Sequence, residues 1–154
     1  IKIPKFILSN DDDIKLLAKK NKINSSYVRP PKTSASKSSM VETLLHFANW
    51  SIDKYAIDYL VILQPTSPLR TKNDINSAIK LTLKNRYKSL FSISESVEHP
   101  YEAIDLYKKN SWKYVLKDSN KFYRRQDFDI NSYFINGAIY IIDKNYLIKN
   151  KSII

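Results

Sequence analysis

A short apolar run that ends at a proline constrains the fold of this chain more than any other feature. Residues 59–63, YLVIL, are rich in β-forming side chains and uncharged, which is typical of a strand buried on both faces, as in a parallel sheet. Pro65 ends the run because proline has no N–H for a neighbouring strand. Ligands of open α/β sheets bind outside the carboxyl ends of the strands. The polar residues of this loop therefore lie where a site is expected: Gln64, Thr66, Ser67 and Arg70.

The flanking pattern predicts alternating helices and strands. Strands are expected over residues 1–9, 89–94 and 136–142, and short β pieces around residues 103–107 and 112–116. Helix starts are expected at residues 10–13, 40, 71–74 and 143. The three aspartates at residues 11–13 indicate a helix start rather than a metal cluster, and His46 a structural or surface position rather than a catalytic base. From pattern alone, an ordinary connection with Gln64 facing solvent is the simpler interpretation.

Composition limits the class of protein. The 154 residues are 43% hydrophobic, enough for one globular domain with a core. No apolar run reaches the roughly 18 residues of a membrane helix, and no leader-like segment opens the sequence, so a cytoplasmic protein is expected. With no cysteine and two histidines, the sequence predicts neither disulfides nor a zinc site. The net charge of +11 suits nucleic acid or an anionic substrate, but the scattered lysines favour a general compositional bias.

Two motifs resemble the acylneuraminate cytidylyltransferases, also called CMP-sialic acid synthetases. LQPTSPLR, residues 63–70, is similar to the signature of that family, and NGAIYI, residues 136–141, is similar to a second motif in the same order. Weaker similarities lie upstream, at SND (residues 9–11), at Arg29 with Pro30, and in the serines near Ser39. The resemblance covers residues 3–143, most of the chain.

The resemblance implies a three-layer α/β nucleotidyltransferase domain, Rossmann-like and similar to the GT-A fold, with a mostly parallel mixed sheet. It implies a homodimer in which residues 95–133 form a dimerisation extension. In the implied reaction, the anomeric hydroxyl of a nonulosonic (sialic-acid-like) sugar attacks the α-phosphate of CTP, giving a CMP-sugar and pyrophosphate, with Mg²⁺ as cofactor. Such transfer relies on positioning and electrostatic stabilisation more than on a catalytic triad.

The resemblance also implies substrate-binding residues, but no catalytic or metal-binding ones. The nucleotide side is implied for Arg29 and for Ser39, or Ser38 if the alignment slips by one residue. The sugar side is implied for Gln64, Arg125 and Asn136. A guanidinium donates a planar fork to a carbonyl or phosphate, and an amide both donates and accepts, which suits a sugar. Surface charge for the arginines and a turn at Asn136 are the alternative interpretations.

Several departures from the family pattern affect these expectations. Gly137 is the one glycine, so the glycine-containing phosphate loop of the family is missing, as are acidic metal ligands beyond NGAIYI. We therefore expect an internal portion of such an enzyme, inactive by itself. Tyr101 and Phe134 stand where the family often has lysine and arginine, which leaves legionaminic or pseudaminic acid open as the sugar. A non-catalytic binding or dimerisation module and a basic nucleic-acid-binding domain remain alternatives.

Overall fold

The computed structural model describes residues 3–31, 39–117, 119 and 131–154. Its helices are α1 (Asp12–Lys20), α2 (Met40–Ser51), α3 (Lys72–Asn85) and α4 (Lys144–Asn150), with a 3₁₀ turn at Pro100–Glu102. Its strands are β1 (Tyr59–Ile62), β2 (Ser89–Glu95), β3 (Ile104–Lys108), β4 (Ser111–Tyr114) and β5 (Tyr133–Asp143). In this part of the chain, no helix has the length and apolar content needed to cross a membrane.

The helices begin where their capping residues predict. The Asp11 carboxylate accepts from the Ile14 N–H at the start of α1, which confirms the interpretation of the aspartates as a helix start. Thr71 and Asp74 form a reciprocal capping box at α3. These bonds to the Thr71 N–H and hydroxyl hold the pKa of Asp74 below its ordinary value. Each cap satisfies N–H groups that lack partners within the helix.

The central sheet corrects the expected parallel arrangement. Its order is β1–β5–β2, and β5 pairs antiparallel with both neighbours. β1 and β2 consequently run in the same direction, but β5 lies between them. A strand was expected over residues 1–9. Among the described residues of this segment, the structure has instead an isolated parallel bridge between Phe6 and Asn24. The α/β class is confirmed. The expected mostly parallel sheet is not found, because β5 lies between β1 and β2 and runs in the opposite direction to both.

The core forms where α2 and α4 pack on one face of this sheet. Leu44, Phe47 and Ala48 of α2 and Leu147 of α4 contact Leu60 of β1 and the β5 residues Tyr140 and Ile142. Strand side chains alternate between faces, so Ile139 and Ile141 point to the opposite side, where α3 contacts β5 and β2. The sheet thus has helices on both faces.

A charged contact anchors the far end of β5. Asp143 caps α4 by accepting from the Tyr146 N–H, and its other oxygen accepts from Lys88 Nζ at 2.8 Å. Burial raises the pKa of Asp143. The hydrogen bonds from Lys88 and Tyr146 and the charge of Lys88 together lower it by more than burial raises it, so the pKa lies below its ordinary value. This end of the sheet is therefore structural, and the opposite end of β1 holds the candidate site.

Candidate functional site

Strand pairing brings the two sequence motifs together. Ile62, the last residue of β1, pairs with Tyr140 of β5. Gln64 lies two residues after the end of β1, and Asn136 and Gly137 precede Tyr140 on the neighbouring strand, so LQPTSPLR and NGAIYI meet at one edge of the sheet. Gln64 is half-buried rather than facing open solvent, and whether it binds a ligand stays a prediction.

A bulge in β5 shapes this edge. Phe91 of β2 pairs with Tyr140 and Ile93 with Ile135, so β5 inserts additional residues, 136–139, opposite Ser92. Gly137 lies in this bulge at φ +73°, a conformation that L-residues with side chains rarely adopt. A Cβ on Gly137 would lie 2.7 Å from Gln64 Oε1. Glycine is therefore required both for the backbone conformation and for the close approach of the Gln64 amide.

Arg70 joins the two motifs through their backbones. Its Nη1 donates to the carbonyl oxygen of Gln64 at 2.6 Å and to that of Ala138 at 3.1 Å. Hydrogen bonds from a charged donor contribute about 1.5–3 kcal/mol, more than neutral ones. Arg70 thus holds the loop after β1 against the bulge of β5, a role that its place in the sequence motif alone does not reveal.

A second set of hydrogen bonds fixes Asn136. The Ser92 hydroxyl donates to Asn136 Oδ1 at 2.6 Å, and the Ala138 N–H donates to the same oxygen at 3.1 Å. The Ile139 N–H in turn donates to Ser92 Oγ at 2.9 Å. Ser92 does not stand out in the sequence, because the register of β2 with β5 decides which serine of SLFSIS faces the bulge.

The site also reaches the start of α2. Gln64 Nε2 lies 3.2 Å from Met40 Sδ, a weak hydrogen bond to the first residue of that helix. Ser39 caps α2: its hydroxyl accepts from the Glu42 N–H at 3.1 Å, and Glu42 Oε2 accepts from the Ser39 N–H at 3.0 Å. The structure therefore brings Ser39, Gln64 and Asn136 to one region, and gives Ser39 a structural duty as well.

The curated proteins that are similar to this chain include N-acylneuraminate cytidylyltransferases. The chain is 30% identical over 125 residues to the N-acylneuraminate cytidylyltransferase of Streptococcus agalactiae serotype III. These residues make up 81% of the chain and 29% of that enzyme. The serotype V enzyme of the same name gives the same identity and coverage. The chain is related to the acylneuraminate cytidylyltransferases. The resemblance of its motifs is thereby confirmed, and the chain spans about three tenths of the length of these relatives.

A further relative differs in its described role. The Campylobacter coli protein named post-translational flagellin modification protein B is 29% identical over 100 residues, which cover 65% of the chain and 41% of that protein. No protein-family model matches the chain.

The remaining positions implied by the cytidylyltransferase resemblance are placed only in part. Arg29 is half-buried and lies two residues after Tyr27, which packs against Phe47 and Trp50 of α2. Burial raises the pKa of Tyr27, and the positive charge of Arg29 offsets part of that rise. Arg29 thus lies near Tyr27, and its role in binding the nucleotide stays a prediction. Ser38 and Arg125 lie outside the described residues.

His46 has a structural partner. Its Nδ1 lies 2.9 Å from the hydroxyl oxygen of the buried Tyr27, and the two rings are in contact. This contact supports the interpretation of His46 as a structural histidine on α2.

Proposed function

We propose that this chain forms the sugar-binding side of a cytidylyltransferase that joins CMP from CTP to a nonulosonic acid and releases pyrophosphate. One observation carries the proposal. The two motifs that the chain shares with the cytidylyltransferases meet at Gln64 and Gly137, and Arg70 donates to a backbone carbonyl oxygen of each motif, at Gln64 and at Ala138. The names of the streptococcal relatives support the reaction class.

The polar groups of the site suit a polyhydroxylated acid. Gln64 and Asn136 supply amide groups without a fixed charge; Asn136 lies in the bulge of β5, and Gln64 lies beside it. Ser39, proposed for the nucleotide side with Arg29, precedes Met40, which Gln64 contacts. The proposed nucleotide and sugar sides are thus adjacent, as an attack of a sugar hydroxyl on the α-phosphate requires.

Mg²⁺ remains part of the proposed reaction, as in other phosphoryl-type transfers. The described residues do not offer it a ligand set, because they contain no group of three histidine, cysteine or acidic side chains placed to hold a metal ion. Mg²⁺ prefers carboxylate and phosphate oxygens, whereas the site beside Gln64 is built from amides and hydroxyls. No step of the proposal therefore runs through residues of this chain that bind the ion.

Pyrophosphate release tests the proposed function. The intact protein is incubated with CTP, Mg²⁺ and, in turn, N-acetylneuraminic, legionaminic and pseudaminic acids. We expect release that requires both CTP and one of these nine-carbon acids, and at least tenfold less with an eight-carbon 2-keto sugar acid as control. Absence of release with every nonulosonic acid would overturn the proposal.

We also propose that the β3–β4 hairpin is a homodimer contact. The cross-strand pairs Ile104–Tyr114 and Leu106–Trp112 place four apolar side chains on one face, and Leu106 and Trp112 are 73% and 54% exposed. The other face carries the ion pair between Asp105 and Lys113. A two-stranded hairpin is marginally stable alone, so an exposed apolar face on it favours a partner, and a two-fold copy is the commonest one.

A charge on the apolar face tests this contact. We expect Leu106→Glu to convert the dimer to monomer in light scattering, because a carboxylate buried in an apolar interface loses its hydration without gaining a partner. Asp105→Ala, on the opposite face of the same strand, is the matched control and should leave the dimer intact. A wild-type protein that is monomeric at high concentration would contradict the proposal, as would a dimer that survives Leu106→Glu.

A further inference from the structure

A directed chain of hydrogen bonds runs beneath Asn136. A backbone N–H can only donate, so the Ala138 N–H identifies the Asn136 atom that it contacts as the amide oxygen. The Ile139 N–H likewise makes Ser92 Oγ an acceptor. The Ser92 hydrogen then has two acceptors within reach, Asn136 Oδ1 at 2.6 Å and the Ile139 carbonyl oxygen at 3.3 Å, and the shorter distance favours Asn136. The order of donation is Ile139 N–H to Ser92 Oγ, and Ser92 O–H to Asn136 Oδ1.

These hydrogen bonds determine which end of the Asn136 amide is presented to a ligand. Both bonds to Ser92 and Ala138 engage Oδ1, which turns the NH₂ group away from the bulge. Asn136 is exposed, whereas Ser92 is half-buried beneath it. The site therefore offers two N–H donors at Asn136, while Oε1 of Gln64, directed at Gly137, is an acceptor nearby.

We propose that Ser92 is a positioning residue that aims the NH₂ group of Asn136 at the carboxylate of the sugar acid. This inference rests on the proposed function and assigns one polar group of the substrate to one residue. An ionised carboxylate accepts hydrogen bonds but cannot donate, so it matches a group that presents donors alone. If the amide turned over, Oδ1 would face the carboxylate and repel it.

The orientation can be tested without any turnover. In ¹⁵N-labelled intact protein, the two side-chain amide protons of Asn136 should have NMR shifts displaced from those of a free asparagine amide, because one fixed orientation holds each proton in a defined environment. Ser92→Ala should bring the shifts toward those of a free amide, whereas Ser92→Thr, which keeps the hydroxyl, should retain most of the displacement. Ser94→Ala is the matched control, on the same strand and exposed. Unchanged Asn136 shifts in Ser92→Ala would overturn the inference.

Steady-state kinetics test the consequence for the sugar. Loss of about one oriented hydrogen bond predicts that Ser92→Ala raises the KM of the acid up to tenfold, with the KM of CTP unchanged and with recovery in Ser92→Thr. A general loss of structure would raise both KM values. Equal effects on the two substrates, or no effect on either, would contradict the inference.

Asn136→Asp tests the carboxylate itself. The substitution keeps an oxygen for Ser92 and Ala138 and replaces the NH₂ donors with a second oxygen that is negatively charged. We expect it to weaken calorimetric binding of the acid at least tenfold and binding of the matching sugar carboxamide much less. Equal weakening of both ligands would overturn the assignment. If the wild-type protein binds the acid but transfers no CMP, the proposed function fails while this comparison still decides the role of Asn136.

Discussion

Gln64→Ala is expected to raise the KM of the nonulosonic acid about tenfold or more and to lower kcat, with the KM of CTP nearly unchanged. The Gln64 amide lies at the end of β1, where its oxygen reaches Gly137 and its nitrogen reaches Met40. Each hydrogen bond lost to the sugar removes about 0.5–1.5 kcal/mol, which is up to tenfold in affinity. A less well positioned attacking hydroxyl adds a loss in kcat.

The measurement is initial rates of pyrophosphate release by the intact protein, with each substrate varied in turn. Asn76→Ala, which removes an exposed amide from α3, is the control and should change neither KM. Arg29→Ala should show the opposite bias and weaken CTP first. If Gln64→Ala changed the KM of CTP alone, Gln64 would belong to the nucleotide side and the proposed placement of the sugar would be wrong.

Gly137→Ala is expected to destabilise the protein by about 1–2 kcal/mol and to impair use of the sugar as well. The backbone there is left-handed, with φ +73°, which disfavours any residue with a Cβ. The added methyl would also lie 2.7 Å from Gln64 Oε1. That oxygen is at the tip of a flexible side chain, so we expect the Gln64 amide to swing away and leave the site.

A double-mutant cycle separates the two effects of Gly137→Ala. In a Gln64→Ala background, the contact with Oε1 is gone, so the backbone strain alone should remain in the free energy of unfolding measured with urea. Gly137→Ala should then add little to the KM of the sugar, because the amide that it displaces is already absent. Fully additive effects on that KM would show that Gly137 does not act through Gln64.

Sequence patterns predicted the local features of the site well. Helix caps depend on residues within a few positions of each other, which explains why Asp11, Thr71 with Asp74, and Asp143 were placed correctly. Gln64 was singled out from its position after an apolar run and from the motif resemblance, and its role in binding stays a prediction. Ser39 was singled out for the nucleotide side, and the structure adds that it caps α2.

The contacts that build the site depend on strands far apart in the sequence. Neither motif indicates that Arg70 donates to Ala138 or that Ser92 holds Asn136, since these residues are separated by 68 and 44 positions. The bulge of β5 decides both contacts, and its register is set by packing along the whole strand.

The sequence by itself determined the α/β class, the helix starts, the strand at residues 59–62 and the relationship to the cytidylyltransferases, because these depend on local propensity and on short runs of adjacent residues. Only the tertiary structure decided that β5 lies between β1 and β2 and runs against both. A strand's side-chain pattern is the same in either direction, so its neighbours and orientation are chosen by long-range packing of the core. The same packing brings Gln64, Gly137 and Asn136 to one edge of the sheet.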